Sequence, residues 1–306
     1  MNIGRNDIDW RNLSHDEIDR IIAERIEADD RRIEASGGKK PKRVGYILER
    51  IAEINNLREA NREAQDGKVK KNRFIRRHNL HPEEDLRALQ LMILTLDFPA
   101  PDYSVMKVRS DAGKVRDIVK QKYFPWRILH HAIMRVIGED IYKSLIYDTS
   151  ACIKGKGLHF GVRRMKSFLR RYPEYKWFVK TDFKKFYQSI LHELIVAALR
   201  RKLNGKRGVP IGAFTSQPIG NFAASRIDHT MKEKYHVKCL HRYCDDNVML
   251  ARSKAEALFL IRAYERESAK VGLVVKANSC IAPIGTETKN GNKKRRKRKR
   301  SKRKKD

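Results

Sequence analysis

Two adjacent acids inside an apolar, strand-forming stretch constrain this chain more than any other feature. The stretch is His241-Arg242-Tyr243-Cys244-Asp245-Asp246-Asn247-Val248-Met249-Leu250. A segment that leans toward burial carries unpaired carboxylates only where a cation compensates them. Successive strand residues point to opposite faces, so a tight turn is needed to carry the acids forward to the tip of a hairpin. The bland alternative is a turn that happens to use Asp-Asp. The chain upstream decides between the two. Val179-Lys180-Thr181-Asp182 reads as a strand ending in a third acid, and an aromatic-rich turn through Phe183, Phe186 and Tyr187 follows. Residues 192–203 then show helical spacing through Leu194, Ile195, Ala198 and Leu199. A strand-end Asp182 with Asp245 and Asp246 is a minimal set for two Mg²⁺ ions, because Mg²⁺ keeps water and substrate phosphates among its ligands. Two such ions activate a hydroxyl and stabilise a leaving pyrophosphate.

Tyr243-Cys244-Asp245-Asp246 resembles the YxDD box of reverse transcriptases. Asp182 matches the first metal-binding acid of that family's palm, and residues 208–217 match the motif between them. Related motifs run from about Lys107 to Lys276. The resemblance implies an α+β fold of the right-hand polymerase kind. Its expected parts are an N-terminal helical region (1–101), fingers (102–180), a palm (181–285) and a disordered basic tail (286–306). It implies an RNA-directed DNA polymerase with Asp182, Asp245 and Asp246 as metal ligands and catalytic acids. Two Mg²⁺ ions are the implied cofactor, and Mn²⁺ can substitute. Lys276, in Gly272-Leu273-Val274-Val275-Lys276, matches a lysine placed to protonate pyrophosphate.

Further roles follow by the same resemblance. Phe183, Tyr187, Ile211, Ser216 and Gln217 would approach the nucleotide, with Tyr187 excluding a ribose 2′-hydroxyl. A core aromatic is the alternative for Tyr187. Asn221 and Ser225 lie one turn apart and share a face with that site. Lys114 and Arg116 alternate onto one face of a strand, within reach of a triphosphate, or simply form an exposed basic face. Lys154 and Lys156 lie in the glycine-basic turn of residues 150–159, where glycines admit a close backbone and lysines meet phosphates. Tyr243 completes the nucleic-acid-binding set.

Most relatives carry a Gln-Gly pair in the middle palm motif. This chain has Ile211-Gly212 followed by Ser216-Gln217, which resembles the enzymes of diversity-generating retroelements. Those copy a template RNA with errors at adenines and work with a small basic accessory variability determinant. A group II intron-like or retron-like enzyme, or a truncated and impaired nucleic-acid-binding relic, remains the alternative. The implied partners are template RNA, primer, cDNA, dNTPs and that accessory protein, with no membrane. The implied setting is the cytoplasm of a bacterium or archaeon, or a phage-encoded enzyme.

Composition bears on the partner. With 41% apolar residues the chain can bury a core, and a net charge of +32 implies a polyanion. Residues 286–306 hold 13 lysines and arginines against Glu287 and Asp306, a net of +11. Such a block is expected to be disordered until it meets nucleic acid. It stands where the resemblance leads one to expect a leucine-glycine-aromatic strand and a helical thumb, so the thumb is expected to be missing or truncated. The polar start gives no secretory signal, and Leu91–Leu96 is too short to span a bilayer. Four cysteines imply no disulfide framework. His236, Cys239, His241 and Cys244 have knuckle-like spacing, but two strands and a turn account for it.

The N-terminal pattern predicts helices. Ser14 and Glu17 form a capping box before Ile18, Ile21, Ile22 and Ile26. Ser36-Gly37-Gly38 ends that helix, and Ile47, Ile51, Ile54 and Leu57 mark a second. Lys68, Lys70, Lys71, Arg73, Arg76 and Arg77 either grip RNA or form a solvated face. A third helix starts at Pro82 with three acids in its first turn and ends before Pro99. Residues 103–108 and 114–118 form two strands about a turn at Asp111-Ala112-Gly113. His130 and His131 sit in a helix in structural or RNA-facing roles.

Overall fold

The computed structural model describes residues 8–35, 45–100, 103–109, 115–190 and 216–285. The chain divides into two compact units, residues 1–144 with 192–219 and residues 145–191 with 220–306. Helix and sheet are mixed, and each unit has its own core.

In the first unit the elements are α1 (His15–Ala35), α2 (Ile47–Ala52), α3 (Ile54–Gln65), α4 (Arg73–His78), α5 (Pro82–Thr95), β1 (Tyr103–Arg109), β2 (Val115–Gln121) and α6 (Ile128–Lys143). The capping box forms: Ser14 N donates to Glu17 Oε2 at 2.8 Å, and Glu17 N donates to Ser14 Oγ at 3.4 Å. Hydrogen bonds from Ser14 hold the Glu17 carboxyl below its ordinary range. The helix predicted through Ile47, Ile51, Ile54 and Leu57 is broken in two at Glu53, whose ψ is 129°. Buried Asn56 explains the break. Its Nδ2 donates to Ile51 O at 3.1 Å and to Ala132 O at 3.3 Å, so a side chain satisfies the carbonyl that a continuous helix would pair with a backbone amide. Pro82 and the acids Glu83, Glu84 and Asp85 open α5 as expected. Leu57, Ala60, Leu89, Ile93, Ile128, Leu129 and Ala132 fill the core between α3, α5 and α6. His130 and His131 are buried in α6, and burial pushes His130 down to about 4. They are therefore structural, not RNA-facing. β1 and β2 form an antiparallel hairpin pairing Val108 with Arg116 and Arg109 with Val115.

In the second unit α7 (Leu158–Arg171), β3 (Trp177–Thr181), α8 (Phe186–Ser189), α9 (Ser216–Glu233), β4 (Leu240–Tyr243), β5 (Asp246–Ala251), α10 (Lys254–Ala269) and β6 (Cys280–Pro283) follow, with α9 entering it at Gly220. The sheet order is β4-β5-β3-β6, and each adjacent pair is antiparallel. Strand β3 is central, with Val179 opposite Met249 on one side and Ile281 on the other. Both Val179 and Met249 are fully buried. Ser253 caps α10 by accepting from Glu256 N at 3.1 Å. Cys239 packs with Phe168, Tyr175 and Leu250 in an apolar cluster. The helix expected over residues 192–203, most of the 208–217 motif and the tail 286–306 lie outside the described residues.

Helix α7 lies close against β4 at Gly161. A Cβ added there would sit 2.5 Å from His241 Nε2. That nitrogen is itself 3.1 Å from Ser150 Oγ, so the ring has a partner to lose by moving. In an open helix Gly→Ala stabilises by about 1 kcal/mol. Here Gly161→Ala is expected to do the reverse and destabilise by about 1–3 kcal/mol through overpacking. A urea unfolding midpoint that rises in the variant would refute the close approach.

Candidate active site

Tyr243 pairs with Asp246 across the β4–β5 hairpin, which leaves Cys244 and Asp245 as a two-residue turn. Cys244 takes the left-handed conformation at φ 54°. The tip thus carries one acid where two were expected, because Asp246 already belongs to β5. Asp246 Oδ1 lies 3.3 Å from Lys180 Nζ on the neighbouring strand. Asp182 directly follows β3, as the sequence predicted, and its carboxyl meets that of Asp245. Burial pushes the Asp245 carboxyl up, and the nearby charges of Asp182 and Asp246 push it further. Asp182 Oδ1 is buried with no partner, while its Oδ2 takes a short contact from Lys276 Nζ. Among the described residues no three acid, histidine or cysteine side chains converge on one point. Asp182 and Asp245 face each other, and Asp246 is turned to Lys180. The pair still suits a hard cation: two carboxylates crowd together, and one oxygen is left unsatisfied.

Lys276 reaches this position through backbone pairing. Its amide donates to Asp182 O at 2.8 Å, Lys184 N donates to Val274 O at 2.8 Å, and Phe183 bridges Val275. The sequence marked Lys276 as a proton donor, and the structure puts its ammonium on Asp182.

The aromatics after Asp182 divide into two kinds. Phe183 is 1% exposed and stacks on Phe186 and Tyr264 with ring centroids 5.4 and 5.7 Å away. Its ring is core, so the side chain offers no surface to a nucleotide. Tyr187 is 43% exposed, and its hydroxyl donates to Cys244 Sγ at 3.6 Å, beside the acidic turn. The core-aromatic reading of Tyr187 therefore fails. Gly220 makes room for the ring, since a Cβ there would lie 3.1 Å from Tyr187 Cε1 and 3.0 Å from Phe186 Cε1.

What holds the hairpin in place was not legible in the sequence. Arg242 and Asp228 have fully buried side chains, and Arg242 Nε donates to Asp228 Oδ2 at 2.7 Å. Arg242 Nη1 also donates to Asn221 Oδ1 at 2.8 Å and to Cys244 O at 3.1 Å, and Nη2 to Asn221 O at 3.0 Å. Burial pushes the Asp228 carboxyl up against the pull of Arg242. Asn221 Nδ2 donates to Ala151 O at 2.8 Å, and Ser225 Oγ donates to Phe222 O at 2.7 Å. Both are buried. Asn221 and Ser225 thus face inward and hold the scaffold, contrary to the expectation that they share a face with the nucleotide. The signals available were an arginine inside a strand-forming stretch and an acid between Ile227 and Met231 on α9.

The remaining candidates are dispersed. Arg242 N donates to Asp148 O, and Ser150 N to Arg242 O, each at 3.1 Å, which fastens the start of the glycine-basic turn to β4. Lys154 is exposed. Lys156 donates to Tyr147 O at 2.7 Å and lies over the Tyr147 ring, and burial pushes its pKa down. Tyr243 is exposed at the end of β4, and Gln217 is exposed on α9. Arg116 lies on β2 and Ser216 opens α9, while Lys114 and Ile211 fall outside the described residues. Of the knuckle-like set, Cys239 lies in the apolar cluster and His241 points to Ser150, so they diverge.

Residues 109–282, more than half of the chain, match the family model described as reverse transcriptase (RNA-dependent DNA polymerase). The chain belongs to the reverse transcriptase family. The family's enzymes are nucleotidyltransferases that use divalent metal ions. No curated protein matches the chain. One solved structure similar to the chain is the telomerase of Candida albicans in complex with a TWJ fragment of telomeric RNA. The two are 12% identical with a TM-score of 0.42, and the similarity covers 62% of this chain and 44% of that one.

The buried pair generates a prediction. Asp228→Ala strands the Arg242 charge in the core and is expected to destabilise by about 3–5 kcal/mol. Adding Arg242→Met removes the stranded charge and should recover much of that loss. Equilibrium urea unfolding of both variants checks it, and a double variant no better than Asp228→Ala would show that the pair is not the cause.

Proposed function

We propose that this chain is an RNA-directed DNA polymerase whose reaction centre is the Asp182–Asp245 pair. The observation that carries the reading is the meeting of these two carboxyls in a chain of this family, with one oxygen of Asp182 buried and unpartnered. Asp182 and Asp245 would hold divalent cations, Mg²⁺ or Mn²⁺, with Asp246 alongside on release from Lys180. Two bound ions would supply the charge that activates a primer 3′-hydroxyl and stabilises leaving pyrophosphate.

The chain's own groups prepare that site. The Lys276 ammonium lies against Asp182 Oδ2 and compensates its charge. Once displaced, it is free to meet a phosphate and to give up a proton there. Arg242 holds the Cys244 carbonyl, and so the turn that carries Asp245. Tyr187 stands over that turn, exposed and rigidly seated beside Gly220, where a ring would collide with a ribose 2′-hydroxyl.

In this reading residues 181–285 serve as palm and residues 102–180, which include the β1–β2 hairpin, serve as fingers, with Lys114 and Arg116 toward the triphosphate. Lys154, Lys156 and Tyr243 would meet template and primer. Ile211, Ser216 and Gln217 would approach the nucleotide, and Ile211-Gly212 with Ser216-Gln217 supports a diversity-generating retroelement enzyme. Error-prone copying and a small basic accessory partner follow from that subtype. A template repeat beside a variable gene in the same genome would test the subtype.

Asp245→Asn preserves size and removes one charge. It is expected to cut dNTP incorporation on a primed RNA template about 100-fold or more, since metal charge carries several kcal/mol of the barrier. RNA affinity should stay near the parent value, because lysines and arginines supply the phosphate contacts. Incorporation at the parent rate would overturn the assignment. Tyr187→Ala opens space for a 2′-hydroxyl and should raise the rNTP/dNTP ratio of kcat/KM while total activity falls. A ratio that stays fixed on folded protein would remove Tyr187 from sugar discrimination.

A further inference from the structure

The first unit contains a cavity of about 460 Å³ that the catalytic reading does not use. Helix α4, the start of α5 and the Lys122–Phe124 segment line it, and it is open to solvent on one side. Its size falls within the range of small-molecule and nucleotide sites.

Three features of its wall point to one kind of occupant. First, Phe74 lines it and is 50% exposed, an aromatic ring offered to solvent next to half-buried Phe124. Second, Arg77 and Lys122 stand at the same wall and are exposed, and Arg73 and Arg76 flank it on α4. The Arg73 guanidinium already lies 5.0 Å from the Phe74 ring centre. Third, the His78 side chain is 2% exposed and its Nε2 is buried without a partner, while Nδ1 is 2.6 Å from Asp85 Oδ2. Nε2 therefore carries hydrogen-bonding capacity that the described residues leave unused. The acids at the rim are engaged: Asp85 by His78, and Glu84 by His81 at 3.6 Å.

An aromatic face and a rim of cations together suit a nucleotide, with His78 Nε2 an unpartnered polar atom in the same wall. The ring stacks on a base, and the cations meet its phosphates. In duplex RNA the bases are stacked on each other and their faces are closed to Phe74. We infer that this cavity binds an unstacked base of single-stranded RNA, with Phe74 as the stacking platform and Arg77 and Lys122 as phosphate contacts. The site is separate from Asp182 and Asp245 in sequence and belongs to the other unit. It does not depend on the subtype or on catalysis.

The test uses the full chain without dNTPs. Binding of a 20-nucleotide single-stranded RNA is followed by fluorescence anisotropy across a salt series. The same RNA carrying 4-thiouridine is cross-linked by near-ultraviolet light, and the attached peptides are mapped by mass spectrometry. Phe74→Ala is expected to weaken single-stranded binding about 5- to 150-fold with the salt slope unchanged. Phe74→Tyr keeps a stacking face and should bind like the parent, which separates loss of stacking from misfolding. Arg77→Gln should make the slope of log affinity against log salt shallower by about 0.7. Cross-links should fall on the peptides holding Phe74 or Phe124. Parent-like affinity in Phe74→Ala, equal losses on duplex RNA, or cross-links confined to other peptides would each overturn the inference and leave the cavity to another occupant. Primer extension on the same preparations reports separately on the polymerase reading.

Discussion

The second unit depends on one buried charge. Arg242 sits in the middle of a four-residue strand with its side chain wholly out of water, and its guanidinium binds Asp228, Asn221 twice and the Cys244 carbonyl. A buried cation is tolerable only where its counter-charge and acceptors are already in place. Helix α9 must therefore bring Asn221 and Asp228 to the sheet together, seven residues and two turns apart on one face. The backbone of Arg242 adds a second tie, pairing with Asp148 and Ser150 on the opposite side. Helix, turn and loop are thus referred to a single side chain. Any other register of β4 would strand a charge, which makes the register a specific one.

That anchoring matters because the acids it supports repel one another. Asp182, Asp245 and Asp246 lie at the ends of adjacent strands, and each answers the crowding differently. Asp182 takes Lys276, Asp246 takes Lys180, and Asp245 is left with a raised carboxyl pKa. A pair held together against its own repulsion is a place where a cation gains more than it would in water. The same logic explains the neighbouring aromatics. Phe183 and Phe186 are packed into the core and fix the backbone, so Tyr187 can stand exposed on a firm base.

Much of this was readable in advance. Apolar, strand-forming runs around Val179 and Val248, a tight turn with acids and an acid at a strand end are local patterns, and the hairpin appeared within one residue of where they placed it. The capping box, the Pro82 helix start and the β1–β2 hairpin are local as well, and they formed. The failures share a cause. The helix through Ile47 and Leu57 has perfect spacing, yet Asn56 finds a carbonyl 76 residues away and breaks it. Asn221 and Ser225 lie one turn apart as if sharing the face of the nucleotide, yet both are buried. Long-range partners are invisible to periodicity.

The sequence alone determined the chemistry available to this protein: three acids in strand-end contexts, an aromatic five residues after the first, and a surplus of cations suited to a polyanion. These are properties of residue type and spacing, which need no fold to be stated. The tertiary structure decided which acids meet. It joined Asp182 to Asp245 across sixty-three residues and turned Asp246 toward Lys180. It also made Arg242 the support of the turn and placed Phe74, Arg77 and His78 around one cavity. The reason is physical. Charge pairing and burial act through distance in space, and only the folded chain sets those distances.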